Sequence, residues 1–124
     1  MKVRAGTLED RPAIMNVLDG ADLAIGPETV ERRIETDHVL VAVAESGIVL
    51  GAIVAVPRPE GVHVEALAVR PGRRGQGIGS RLVEAAADRW DRLTAAFDRR
   101  VSDFYQATGF EVWPTGERCF GEHV

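Results

Sequence analysis

The chain has 124 residues, 15 of them Lys or Arg against 19 Asp or Glu, giving a formal net charge of -4, and one cysteine. That length supports one real core and leaves no room for a second domain of ordinary size, so residues 1–124 read as a single domain. The acidic balance argues against a nonspecific polyanion binder, the lone Cys119 forbids an intrachain disulfide, and no apolar run approaches the roughly 20 residues that cross a bilayer.

Met1-Lys2-Val3-Arg4 enters polar sequence with no apolar signal core, so a cytoplasmic location without a membrane partner is the expectation. Val3 to Thr7 reads as a short strand. Thr7 then caps a helix through Leu8-Glu9 or Asp10, with Pro12 in its early turn and Ala13, Ile14, Val17 and Leu18 on one face. Gly20 to Gly26 connects to a second helix from Pro27, which carries acidic groups early, basic groups later, and Val30 and Ile34 four apart. His38 to Ala44 and Ile48 to Val56 form a hairpin around Glu45-Ser46-Gly47, and Pro57 to Gly61 turns into a third strand, Val62 to Val69. A helix from Ile78 to Trp90, a strand from Leu93 to Phe97 and a brief helix through Phe104 and Tyr105 follow, ended by Gly109. Glu111 to Pro114 and Arg118 to His123 close the chain as a hairpin. This order predicts an α/β fold, a mixed central sheet flanked by helices.

The chemistry concentrates between Val69 and Ser80. Gly75, Gly77 and Gly79 open a helix, so main-chain amides can approach an anion there; Arg73, Arg74 and Arg81 add charge and Ser80 a hydroxyl. No Lys-Ser or Lys-Thr pair follows the glycines and no Gly-x-Gly-x-x-Gly spacing is present, which sets aside a nucleotide P-loop and a dinucleotide fingerprint. A small phosphorylated ligand is the expected guest. His38, His63 and His123 are dispersed, and with one cysteine they give no metal-ligand spacing.

Arg74-Gly75-Gln76-Gly77-Ile78-Gly79, preceded by Leu67-Ala68-Val69-Arg70-Pro71, resembles the signature of the GCN5-related N-acetyltransferase (GNAT) superfamily. The resemblance reaches from Val3-Arg4-Ala5 to Phe104-Tyr105-Gln106-Ala107-Thr108-Gly109-Phe110, nearly the whole chain. It implies an acyl-CoA N-acyltransferase fold with a splayed sheet and acetyl-CoA as co-substrate. It also implies pyrophosphate on the amides of Arg74, Gly75, Gln76, Gly77, Ile78 and Gly79, with Arg73 and Ser80 beside them, and pantetheine along Leu67, Ala68 and Val69. Asp98 and Val101 stand where such families often carry asparagine and alanine, which makes Asp98 a helix cap beside the cofactor. A homodimer and a primary-amine acceptor shaped by the first two helices are further implications, and the local rather than extended positive charge argues against a stable nucleic-acid partner.

An amine must shed its proton before it attacks a thioester, so a carboxylate near the slot is useful. Glu65 is the base candidate, acting through water, because strand alternation puts it on one face with His63 and Leu67. By resemblance Tyr105 lies beside the CoA sulfur and protonates the leaving thiolate. The acceptor is open among small amine, peptide and protein, and Asp19, Asp22 and Glu28 would favour a cationic one. A CoA-responsive module without transfer activity is the competing reading, and an enzyme acting on aminoacyl-tRNA is a third, disfavoured by the lack of an extensive basic face.

Overall fold

The computed structural model describes residues 1–21 and 24–124; Asp22, expected to attract a cation, lies outside the described residues. Seven strands form one sheet in the order β1-β2-β3-β4-β5-β7-β6. They are β1 (Lys2–Ala5), β2 (Val39–Val43), β3 (Val49–Arg58), β4 (Gly61–Val69), β5 (Leu93–Asp98), β6 (Glu111–Thr115) and β7 (Arg118–His123). Neighbours are antiparallel except β4 and β5, whose connection runs through helix α3 (Ile78–Arg89).

Helices α1 (Arg11–Gly20) and α2 (Pro27–Glu35) bury Ile14, Val17, Leu18 and Val30 against β2, β3 and β4. On the other face, α3 and α4 (Ser102–Ala107) bury Ile78, Leu82, Val83, Ala86 and Tyr105 against Ile53, Leu93, Ala95 and Phe97. The alternation of small and branched apolar residues along β2 and β3 supplies both cores at once, which is why those strands are apolar on both sides. Gly51 permits the close approach of β3 to its neighbours, since a Cβ there would stand 2.9 Å from the Ala68 carbonyl oxygen and 3.2 Å from Leu82.

Boundaries shift from the sequence expectation where local hydrogen bonds decide them. Strand β1 stops at Ala5 because the Thr7 amide donates to Asp10 Oδ2 at 2.8 Å, opening a 3₁₀ turn over Leu8–Asp10 before α1. Strand β3 runs on to Arg58, and Pro57 pairs with Val62, so the turn expected over Pro57 to Gly61 shrinks to two residues. No helix among the described residues is long and apolar enough to cross a membrane.

Candidate active site

Strands β4 and β5 share three rungs only, Val62 with Leu93, His63 with Thr94 and Val64 with Ala95. Beyond them β5 continues beside β7 while β4 continues beside β3, so the sheet forks and the far edge of β4 faces open space. At that fork the β3–β4 register shifts: Val54 pairs with Ala66 but Ala55 with Val64, leaving Glu65 as a bulged residue. The bulge corrects the expected face-sharing. Val64 and Leu67 both pack toward α3, whereas Glu65 meets α2 on the opposite face. Alternation has no signal for an inserted residue, so Glu65 and Leu67 could not be separated from sequence.

A cleft of about 630 Å³ lies on the α3 and α4 side of the fork. Leu67, Val69, Arg73, Arg74, Gly75, Gly77, Ile78, Gly79, Ser80 and Tyr105 line it, as sequence reasoning grouped them, together with Val101 and Phe104. Gln76, Ala68, Asp98 and Glu65 are not part of its wall. Asp98 does act as a cap, as expected, but of the short 3₁₀ turn Arg99–Val101 and away from the wall, accepting from the Arg100 amide at 2.9 Å and its Nε at 3.1 Å. These hydrogen bonds, the amide first, hold its carboxyl below the ordinary value.

Gly75 and Gly77 adopt positive φ, 79° and 81°, and a Cβ on either would meet nothing within 4 Å. Glycine is therefore required there by backbone conformation, while the space outside stays open. Gly77 caps α3 and its carbonyl accepts the first helical bond from the Arg81 amide. That leaves the amides of Gly77, Ile78, Gly79 and Ser80 as the four unpaired donors of a helix start, and all four residues face the cleft. Arg74 folds its Nε onto the Val69 carbonyl at 3.2 Å, bracing the turn, while Arg73 is exposed at the rim. Gly79 has a different reason: a Cβ there would come within 3.2 Å of the Phe104 ring. Phe104 is half-buried and forms cleft wall.

Tyr105 stacks on Phe97 with centroids 4.0 Å apart and meets Phe104 and Phe110 edge-on at 5.2 and 5.1 Å. Its hydroxyl has no hydrogen-bond partner among the described residues, and burial pushes its pKa up to about 12. Glu65 is ion-paired to Arg33, Nε to Oε1 at 2.6 Å with a longer contact to Oε2 at 3.4 Å, both side chains largely buried. Nothing in the sequence marked Arg33 as its partner. His63 Nδ1 lies 2.8 Å from Thr94 Oγ1, and burial, then the Arg58 charge, lowers its pKa, so it is mostly neutral at pH 7. No group of three or more His, Cys, Asp or Glu side chains able to hold a metal converges among the described residues.

The sequence model of the family described as acetyltransferase (GNAT) domain matches residues 35–112, more than half of the chain. The chain belongs to the GNAT acetyltransferase family. Solved structures agree on the fold. PaiA N-acetyltransferase from Thermoplasma acidophilum, in complex with coenzyme A, superposes with a TM-score of 0.82 at 17% identity over 98% of this chain and 97% of that one. A GNAT-family acetyltransferase from Bacillus cereus gives 0.81 at 12% identity, covering 98% and 93%. The GNAT-family N-acetyltransferase YhbS from Escherichia coli, in complex with CoA, gives 0.74 at 23% identity, covering 98% and 79%. No curated protein matches the sequence significantly. The family that the glycine turn resembles and the mixed sheet flanked by helices expected from the order of elements are those the chain has.

Proposed function

We propose that this GNAT protein transfers an acetyl group from acetyl-CoA to a primary amine. The observation that carries the reading is the convergence of four unpaired helix-start amides on a cleft that ends at the sheet fork. The residues present fit the co-substrate: the amides of Gly77 to Ser80 suit a diphosphate, the unpaired edge of β4 beyond Val64 suits an amide-bearing arm, and Leu67 and Val69 give it an apolar wall. Two relatives of the same fold were solved with CoA.

Bound acetyl-CoA supplies an electrophilic thioester carbonyl. In the net reaction a C–N bond forms, the C–S bond breaks, one proton leaves the amine and one ends on the CoA thiol. Tyr105 holds a proton through the whole working pH range and presents it in the cleft, where the leaving sulfur needs it. Glu65 has both oxygens on Arg33, Oε1 at 2.6 Å from Nε and Oε2 at 3.4 Å from Nη2, and stands outside the cleft wall, so it reaches the amine only through a water. The same ion pair favours the competing reading, a CoA-responsive module without turnover.

A mass-spectrometric screen of small amines, peptides and protein lysines with acetyl-CoA tests the proposal. The expected result is an acceptor heavier by one acetyl group with one CoA released per product. Saturable acetyl-CoA binding with no product from any amine would leave the module reading in its place.

A further inference from the structure

Arg73 and Arg74 are the charged side chains of the cleft wall, and no carboxylate among the described residues lines it. The two arginines are not equivalent. The Arg70 amide donates to the Leu50 carbonyl at 2.9 Å, so one residue earlier, where Val69 opposes Gly51, the main-chain groups of β4 turn away from β3 and onto its open edge. Arg74 Nε takes the Val69 carbonyl there, which ties its guanidinium to the β4 edge. Arg100, the neighbour of the wall residue Val101, is tied to Asp98 at 3.1 Å.

Arg73 has no such tie. Its amide closes a 3₁₀ turn over Pro71–Arg73 on the Arg70 carbonyl at 2.8 Å, which fixes the backbone. Its side chain is exposed at the rim and makes no hydrogen bond or ion pair among the described residues. A guanidinium anchored at its base and free at its tip, beside four helix-start amides, is placed for a second anion.

The four amides and the helix dipole, equivalent to about half a unit charge, suit the oxygens of a diphosphate. CoA also carries a phosphate monoester on its ribose 3′ oxygen, and this group bears nearly two negative charges at neutral pH because its second pKa is about 6. The amides cannot serve both. With the diphosphate on them and the pantetheine arm directed along β4 to the fork, the nucleotide is left at the rim.

We infer that Arg73 receives the 3′-phosphate of CoA, so that the protein selects an acyl donor bearing this group over one that ends in a plain adenosine diphosphate. The inference rests on the acetyl-CoA reading and names what that reading leaves open, the residue that distinguishes the donor. Arginine suits the role because its planar donors meet two phosphate oxygens at once.

Calorimetric titrations with CoA and with 3′-dephospho-CoA at low ionic strength test it, on the wild type and on Arg73→Ala, Arg73→Lys and Arg32→Ala. Arg32 is exposed on α2, across the sheet from the cleft, and controls for net charge. The wild type is expected to bind CoA roughly fivefold tighter than 3′-dephospho-CoA, a preference that shrinks as salt is added. Arg73→Ala should weaken CoA by about that factor and leave 3′-dephospho-CoA unchanged; Arg73→Lys, which keeps the charge, should retain part of the preference, and Arg32→Ala all of it. Equal binding of both ligands by the wild type, or an Arg73→Ala loss shared by both, overturns the inference and leaves acetyl-CoA binding standing. A preference that Arg32→Ala removes as fully as Arg73→Ala belongs to net charge and overturns it too. No binding of either ligand to the folded protein removes the acetyl-CoA reading itself.

Discussion

Tyr105 combines a cleft position with a ring fixed by three aromatic neighbours, so its hydroxyl is held in place before any ligand arrives. Removing only the oxygen keeps the packing. Tyr105→Phe is expected to lower kcat by roughly tenfold, with the KM for acetyl-CoA little changed, since a thiolate leaves tolerably well without help. Steady-state kinetics on both substrates read this, and the wild-type rate should show no loss from Tyr105 ionisation below about pH 11, given its pKa of about 12. Asp10 is the structural counterpart. Hydrogen bonds from Arg4, chiefly, and from Thr7 hold its carboxyl at about 2. A lowered carboxyl contributes stability above its unfolded value near 4 and loses it as pH falls through its folded value near 2, so Asp10→Asn should cost about 1–2 kcal/mol at pH 7 and only a few tenths of a kcal/mol at pH 2, where about half of the carboxyl is protonated. Denaturant melts at both pH values check this; the figure is discounted because Arg4 is one-third exposed. Tyr105 was legible as a residue of the cleft wall because it precedes a Gly-Phe ending. The pairing of Glu65 with Arg33 was not, because it joins residues 32 positions apart through tertiary packing alone.

At the scale of elements, the turn before α3 is where sequence and structure agree most closely, because its glycines have backbone reasons that composition reveals. Gly77 at φ 81° caps the helix and bounds the amide cluster. Gly77→Ala should lower stability by about 1 kcal/mol through left-handed strain and weaken acetyl-CoA binding by roughly tenfold, since the amides it positions would turn. Thermal melts and calorimetric titration measure the two effects separately. The strand order of the hairpins followed from turn residues such as Glu45-Ser46-Gly47, and the observed strands keep that sequence. What periodicity could not reveal was the bulge at Glu65, where one inserted residue sends Leu67 to the cleft face and leaves Glu65 on the other.

For the whole molecule, the decisive event is the end of pairing between β4 and β5 after three rungs. A sheet that stayed zipped would give α3 nothing to face but packed backbone. Because it forks, the helix start, the open edge of β4 and Tyr105 converge on one cleft. The order of elements predicted the mixed sheet, but the point at which β4 and β5 part is set by tertiary packing, which no local pattern encodes.

The amides at the start of α3 are the groups on which acetyl-CoA binding depends most directly. A ¹⁵N–¹H correlation spectrum recorded during titration with acetyl-CoA reports on each of them. Shifts concentrated at Gly77, Ile78, Gly79 and Ser80, saturating at one equivalent of ligand, are the predicted result. Unmoved resonances for these four residues at saturating acetyl-CoA, in a protein whose spectrum is otherwise that of the folded state, would contradict it.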